Sequence, residues 1–411
     1  MLARPREDLP QGALSASLAL LSSSRTENFR AGTVAPSPRL LDSLHPSMTL
    51  LPLPHTIAEI PLVPVDAHAS AAMCRHDLDR MQALVHSALS RHSHFLLPLA
   101  TKIVDSISRA WLARQIDSYL EEIGHVAALL GRPGAFFLNA VYEWSCSTSM
   151  GPAPGERGAR MIRVLDWGLA GMGKHAIIAH HTTPHGDFYN ATWPGYAGIV
   201  NAMAPGRFCA AINQAPRMPI LGFGPIDETI TRLRIFAAKE TTLASHLLRR
   251  IFETAPDYAA AIAMLTDGSV SLAAPALFAL SGIAPDEACV IEAFGRQRRI
   301  HHAGDAPGGV LGIANQWLSP DLKGKARNES VTVAPALEPE ANNALRRAIV
   351  TELQRHAFRG SADLMEPVLN SHTVMVITGN AATGELTVEA LDPPPGAILP
   401  QLVARREIRA A

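Results

Sequence analysis

Several things are missing from this sequence, and each absence removes a class of function. Charge imbalance is missing: 36 basic residues stand against 37 acidic ones, a net charge of −1. No basic patch of the kind that holds phosphate backbones or anionic lipid follows from that balance, so a nucleic-acid partner is excluded. Cysteine is scarce. Cys74, Cys146, Cys209 and Cys289 lie far apart with no CxxC pair, so neither a zinc ribbon nor a disulfide framework is indicated. A reducing compartment is the default for such a chain. Long apolar runs are missing too. The uncharged run 268–284 is short for a bilayer and is broken by Pro275 and Gly282; it reads as a turn followed by a buried strand, not a membrane span. Residues 14–21 are weakly apolar, interrupted by serines and preceded by Arg4, Glu7 and Asp8. No secretory leader is read there, and the expected location is cytoplasmic. There is no H-E-x-x-H, G-x-S-x-G, Walker A or dinucleotide-binding glycine pattern, and no internal repeat. His180, His181 and His185, with His175 nearby, are read as surface histidines of a polar turn. No metal and no cofactor is expected.

What is present is a 411-residue chain with 47% hydrophobic residues, enough for a sizeable core. Residues 1–47 are rich in Ser, Pro and Arg and predict a disordered tail, with Met48 an alternative start. Residues 50–65 are apolar but carry prolines at 52, 54, 61 and 64, which suits an extended edge strand. From 77 to 130 apolar residues recur at helical spacing, and Gly131-Arg132-Pro133-Gly134 stops the last helix. Residues 48–145 therefore predict a mostly helical N-terminal portion, and 146–411 the main domain.

The chain is organised around 144–167, W-S-C-S-T-S-M-G-P-A-P-G-E-R-G-A-R-M-I-R-V-L-D-W. The apolar run 135–142 predicts a strand leading into Cys146. A Gly/Pro-rich turn and a second apolar strand follow. Such a hairpin returns Arg163 and Asp166 beside Cys146. A thiol becomes a nucleophile when its pKa is lowered or a base is at hand, and a neighbouring arginine favours the thiolate. The competing reading is an ordinary buried cysteine. Ser145, Ser147 and Thr148 around it are unusual company for a core position. Arg163 and Asp166 are three residues apart, so on a regular strand they point to opposite faces. Both reach Cys146 only if a bulge or strand end turns one of them.

C-S-T-S followed by R-x-x-D-W resembles the choloylglycine hydrolase and acid ceramidase superfamily of N-terminal-nucleophile amidases, in its N-acylethanolamine-hydrolysing acid amidase-like branch. The resemblance implies a cut before Cys146, which frees its α-amine as the base. An α-amine titrates near ~7.7–8.0, suited to proton transfer at neutral pH. It also implies roles for asparagines at two strand ends, Asn213 in A-A-I-N-Q-A-P and Asn315 in A-N-Q-W, as oxyanion donors. Each could instead cap a turn. Arg327, after a Lys/Gly-rich loop, resembles a family arginine near the nucleophile, against the simpler reading of a solvated surface residue. The chain departs from the pattern where Ser147 precedes Thr148, and where Ala314-Asn315-Gln316 replaces Thr-Asn-His.

Strands are further expected at 176–179, 188–193, 196–203, 208–213, 276–280, 288–294, 299–302, 310–317, 372–378 and 385–391. Helices are expected at 229–249, 256–265 and 338–356. That order fits an α+β class, an αββα four-layer sandwich of antiparallel sheets, which the resemblance also implies. The expected activity is cysteine-dependent hydrolysis of linear amides, N-acyl amines, through a thioester. An acyltransferase on the same scaffold and a non-catalytic binding protein are the alternatives. The expected partners are a small-molecule N-acyl amide and, at most, copies of the chain itself in a homo-oligomer.

Overall fold

Alternation along the strands decides the architecture. In the hairpin at Cys146, residues 146, 148 and 150 point one way and the serines 145, 147 and 149 the other. A sheet with two buried faces must then be covered on both sides. The computed structural model describes residues 57–65, 69–89, 97–140, 145–168, 171–216, 234–235, 237–322 and 337–410. The expected tail at 1–47 and Arg327 lie outside the described residues. Before Cys146 come β1 (Ala58–Glu59), β2 (Leu62–Val65) and helices α1 (Ala69–His76), α2 (Leu78–Leu89), α3 (Leu97–Leu112), α4 (Leu120–Leu130) and α5 (Ala135–Ala140). Then follow β3 (Ser145–Pro152), β4 (Ala159–Asp166), β5 (Ile177–Thr183), β6 (Gly186–Thr192), β7 (Asn201–Ala204) and β8 (Phe208–Gln214). Helices α6 (Ala244–Thr254) and α7 (Tyr258–Thr266) precede β9 (Ala276–Ser281), β10 (Ala288–Phe294), β11 (Gln297–His302) and β12 (Leu311–Ile313). Helix α8 (Pro339–Gln354) precedes β13 (Thr373–Asn380), β14 (Glu385–Asp392) and β15 (Gln401–Arg409).

One sheet runs β1-β15-β14-β13-β4-β3-β12 and the other β11-β10-β9-β8-β7-β6-β5-β2. Their inner faces share a core that includes Met150, Met161, Leu165, Ala211, Leu277 and Met375. Outside the second sheet, Phe208, Ile212 and Phe278 pack on Leu248 and Phe252 of α6 and Leu265 of α7. Outside the first, Val164 and Val376 pack on Ile349 and Val350 of α8. This is the expected αββα layering. Pairing is antiparallel except at two edges, where β1 joins β15 and β2 joins β5 in parallel. The proline-broken segment is thus an edge strand twice over, once in each sheet.

Helices α6, α7 and α8 each end on an arginine from a strand or turn of the sheet beneath. Arg160 donates to the carbonyls of Gln354 and His356 at 2.9 and 2.8 Å, beyond the last turn of α8. Arg207 donates to Phe252 and Ala255 at the end of α6, and Arg298 to Leu265 in α7. Orphan carbonyls at a helix C-terminus favour a cation there.

Four expectations are corrected. Of the strand expected at 135–142, residues 135–140 are instead helix α5, where the Asn139 amide bonds back to the Ala135 carbonyl at 2.9 Å, and 141–142 lie outside the described residues. A six-residue apolar run does not separate helix from strand by period. The strand is instead the hydroxyl-rich 145–152, where burial overrides weak propensity. Residues 196–200 are irregular, because Asn139 takes up Gly195 O and Ala197 N–H, leaving only 201–204 as strand. Within the helix expected at 229–249, residues 234–235 and 237 are helical, but 238–243 break it, with Thr242 bridging Leu272 in extended conformation, and α6 starts at Ala244. His180 and His181 lie in β5, not in a turn. β15 was not anticipated, since its alternating charges hide an edge-side strand.

Replacing Arg160 by Met should strip the α8 carbonyls of their partner. A buried polar group left unpaired costs about 1–3 kcal/mol. A chemical denaturation midpoint equal to wild type would show that the helix end does not depend on Arg160.

Candidate active site

On the inner face of the hairpin, Cys146 and Arg163 meet. The register pairs Thr148 with Arg163 and Cys146 with Leu165. Arg163 Nη2 lies 3.0 Å from Cys146 Sγ and also donates to the Ile212 carbonyl at 2.6 Å. Its Nη1 donates to Asn213 Oδ1 at 2.7 Å and Thr148 Oγ1 at 3.2 Å. All four residues are fully buried. Burial pushes the Cys146 thiol up to about 11, and Arg163 works against that rise. Burial pushes the other three cysteines higher, to about 12, and of them only Cys74 has an arginine, Arg75, working against the rise.

Asp166 is on the opposite face. No bulge interrupts β4; the irregularity lies in β13, between Thr373 and Met375. The Asp166 carboxylate accepts from Thr373 Oγ1 at 2.8 Å and stands 3.5 Å from Arg346 of α8. Its ion-pair partner is thus Arg346, not Arg163. Burial raises its pKa to about 6, against the pull of Arg346.

The third element is the peptide of Cys146 itself. β12 pairs with β3 only as far as Ile313–Thr148, so along that edge no strand among the described residues reaches residue 146. Side chains take its place. Asn315 Oδ1 accepts from the Cys146 N–H at 2.9 Å. Asn213 Nδ2 and Arg346 Nη1 donate to the Cys146 carbonyl at 3.2 and 3.3 Å. Gly312 makes room for this: a Cβ there would sit 2.1 Å from Thr351 Oγ1 of α8. The close approach lets Arg346 reach the hairpin, held by Asn342 and Asn343.

The structure therefore brings Cys146, Arg163, Asn213 and Asn315 together, holds Asp166 one layer outward, and adds Arg346, which sequence reading missed. A signal for it existed. The buried face of α8 should be apolar, yet Asn342, Asn343 and Arg346 occupy its first turns. A small, largely apolar cavity adjoins Asn213 and is lined by Trp111, Gln214, Leu243, Ala274 and Ala276.

The two sheets lie between outer helices, so the layers run helix, sheet, sheet, helix. Among solved structures, the chain is similar to an N-acylethanolamine-hydrolysing acid amidase ortholog of Caenorhabditis elegans, at 16% identity and a TM-score of 0.43, over 58% of this chain and 93% of that one. It is also similar to a mutant conjugated bile acid hydrolase of Clostridium perfringens, at 10% identity and a TM-score of 0.33, over 64% and 92%. No family model and no curated protein matches it. Identities this low carry no residue roles across, so the chemistry is read from the side chains of this chain. Among the described residues, no group of three or more His, Cys, Asp or Glu could hold a metal, and no helix is long and apolar enough to cross a membrane. His180 pairs with Asp187 at 2.8 Å, and His181 is buried against Phe188.

Two outcomes follow. Arg163→Gln removes the cation that lowers the thiol pKa, so alkylation of Cys146 at pH 8 should slow at least tenfold, judged by peptide mass mapping. An unchanged rate would separate the two groups chemically. For Asp166, a pKa raised in the fold means stability that is present below pH ~3.8 and lost as pH rises through about 6. Asp166→Asn lacks that titration. Its stability relative to wild type should rise by roughly 2 kcal/mol between pH 4 and 6. A flat difference across that window would contradict the buried carboxylate.

Proposed function

We propose that the chain is a cysteine-dependent amidase that hydrolyses linear amides, N-acyl amines, after cutting itself between Ser145 and Cys146. One observation carries the reading: the Arg163 guanidinium is buried and, among the described residues, no carboxylate is hydrogen-bonded to it. Its contacts are Asn213 Oδ1, Thr148 Oγ1, a backbone carbonyl and Cys146 Sγ. A buried cation needs an anion, and the contact able to become one is the thiol.

In the cut, Sγ attacks the Ser145 carbonyl and water then resolves the thioester. Ser145 becomes a carboxylate and Cys146 gains a free α-amine. In turnover, that amine takes the thiol proton, Sγ attacks the substrate carbonyl, and the amine passes the proton to the departing nitrogen. Water releases the acid. Arg163 steadies the thiolate, and Asn213, whose Nδ2 already faces a carbonyl oxygen, suits an oxyanion. Asp166 acts from the outer face through Arg346, which holds the Cys146 carbonyl. Arg346 is an arginine near the nucleophile; Arg327, also expected there, lies outside the described residues. The cavity beside Asn213 suits the apolar side of an acyl group. The amidase titles of the similar solved structures agree with this class of reaction.

Residues before the cut are built into the domain after it. They supply an edge strand to each sheet, Glu122 of α4 pairs with buried Arg249 of α6 at 2.9 Å, and Trp111 Nε1 donates to the Ile235 carbonyl at 2.8 Å. The two fragments, of 145 and 411 − 145 = 266 residues, should stay together without a covalent link. Intact-mass analysis should find both in one gel-filtration peak. Cys146→Ala should remain a single folded chain with no turnover of a fluorogenic N-acyl amide. An active preparation that stays uncut, or turnover by the alanine variant, defeats the reading.

A further inference from the structure

The orientation of one amide can be decided from its neighbours. Three donors converge on Asn315 Oδ1: the Cys146 N–H at 2.9 Å, Ser145 Oγ at 3.1 Å and Arg346 Nη2 at 3.0 Å. The other end, Nδ2, donates to the Gln214 carbonyl at 2.9 Å. Turning the amide over would set an NH₂ group against an N–H and a guanidinium, and an oxygen against a carbonyl. The orientation shown satisfies donor and acceptor alike, and the alternative satisfies neither.

A second asparagine enforces it. Asn343 Oδ1 accepts the Asn315 backbone N–H at 2.8 Å and Arg346 Nη2 at 2.8 Å. Its own Nδ2 is committed to the Pro339 carbonyl at 2.7 Å, which fixes which end is oxygen. Arg346 Nε is held in turn by Asn342 Oδ1 at 3.0 Å. Asn315, Asn342, Asn343 and Arg346 are all at most 1% exposed, so water does not compete. The arrangement points at one atom, the nitrogen of Cys146.

We propose that Asn315 acts on that nitrogen as a hydrogen-bond acceptor, not on an oxyanion as a donor, and that Asn343 and Arg346 are positioning residues that lock its amide for the task. Resting on the reading of Cys146 as an N-terminal nucleophile, this gives the lock a use in both stages. Before the cut, Asn315 orients the Ser145–Cys146 peptide. After it, the same oxygen holds one hydrogen of the α-amine, so that the lone pair is aimed and not left to rotate.

The test replaces Asn315 by Asp in the full chain. A carboxylate keeps an acceptor oxygen at the nitrogen and adds negative charge beside the amine, which favours the ammonium form. We expect the fragments still to appear, turnover at high pH to stay within about tenfold of wild type, and the acid limb of kcat/KM to move up by a pH unit or more. An oxyanion donor, by contrast, cannot be replaced by a carboxylate, and its loss costs about 10²–10³ in rate at every pH. Folded Asn315→Asp that is inactive throughout overturns the proposal. If that variant fails to fold, Asn343 decides. Asn343→Ala should slow cutting and lower kcat at least tenfold with KM little changed, and Asn343→Asp, which retains the acceptor oxygens, should restore most of both. Asn343→Ala indistinguishable from wild type overturns the lock while leaving the amidase reading intact. A wild-type chain that never cuts removes the amidase reading, and the lock with it.

Discussion

The site depends on one unmet backbone requirement. β12 stops opposite Thr148, so the N–H and C=O of Cys146 face an edge with no strand beyond it among the described residues, inside a buried layer. A buried peptide cannot leave those groups unpaired. Asn315, Asn213 and Arg346 meet the need, each delivered by a different element: the turn after β12, the end of β8 and the first turns of α8. Much of the surrounding structure serves to bring them there. Gly312 lets α8 lie close, and Asn342 and Asn343 fix the reach of Arg346.

The pleat of β3 and β4 divides the chemistry between two faces. Thiol, Arg163 and Asn213 lie between the sheets, while Asp166 and Arg346 lie between sheet and helix. The two charged pairs are thus separated by one strand's thickness and joined through the Cys146 peptide. Each is costly to bury, and burial pulls all four groups toward their neutral forms. Burial thus works against the thiolate, and the neighbouring Arg163 is the group that favours it.

Much of this was legible in advance. The hairpin, the proximity of Arg163 to Cys146, the helix start at Pro256-Asp257, where Asp257 accepts the Ala260 N–H at 2.8 Å, and the closing β13–β14 pair all follow from local pattern. What misled was short range. Residues 135–140 carry the composition of a strand yet bond as a helix, and the serine-rich strand carries the composition of a loop. In both, partners more than fifty residues away decide the outcome, as Gly195 does for Asn139.

The sequence by itself determined which residues could do chemistry and, through the period of two, that Arg163 and Asp166 would face apart. Side-chain direction along a strand is a local property of the pleat, so spacing alone reveals it. Only the tertiary structure decided which face the thiol took, that Arg346 and not Arg163 pairs with Asp166, and which end of the Asn315 amide meets Cys146. Those are matters of partners brought from 169 and more residues away. A hydrogen bond's direction is set by both of its ends, and the sequence shows only one at a time.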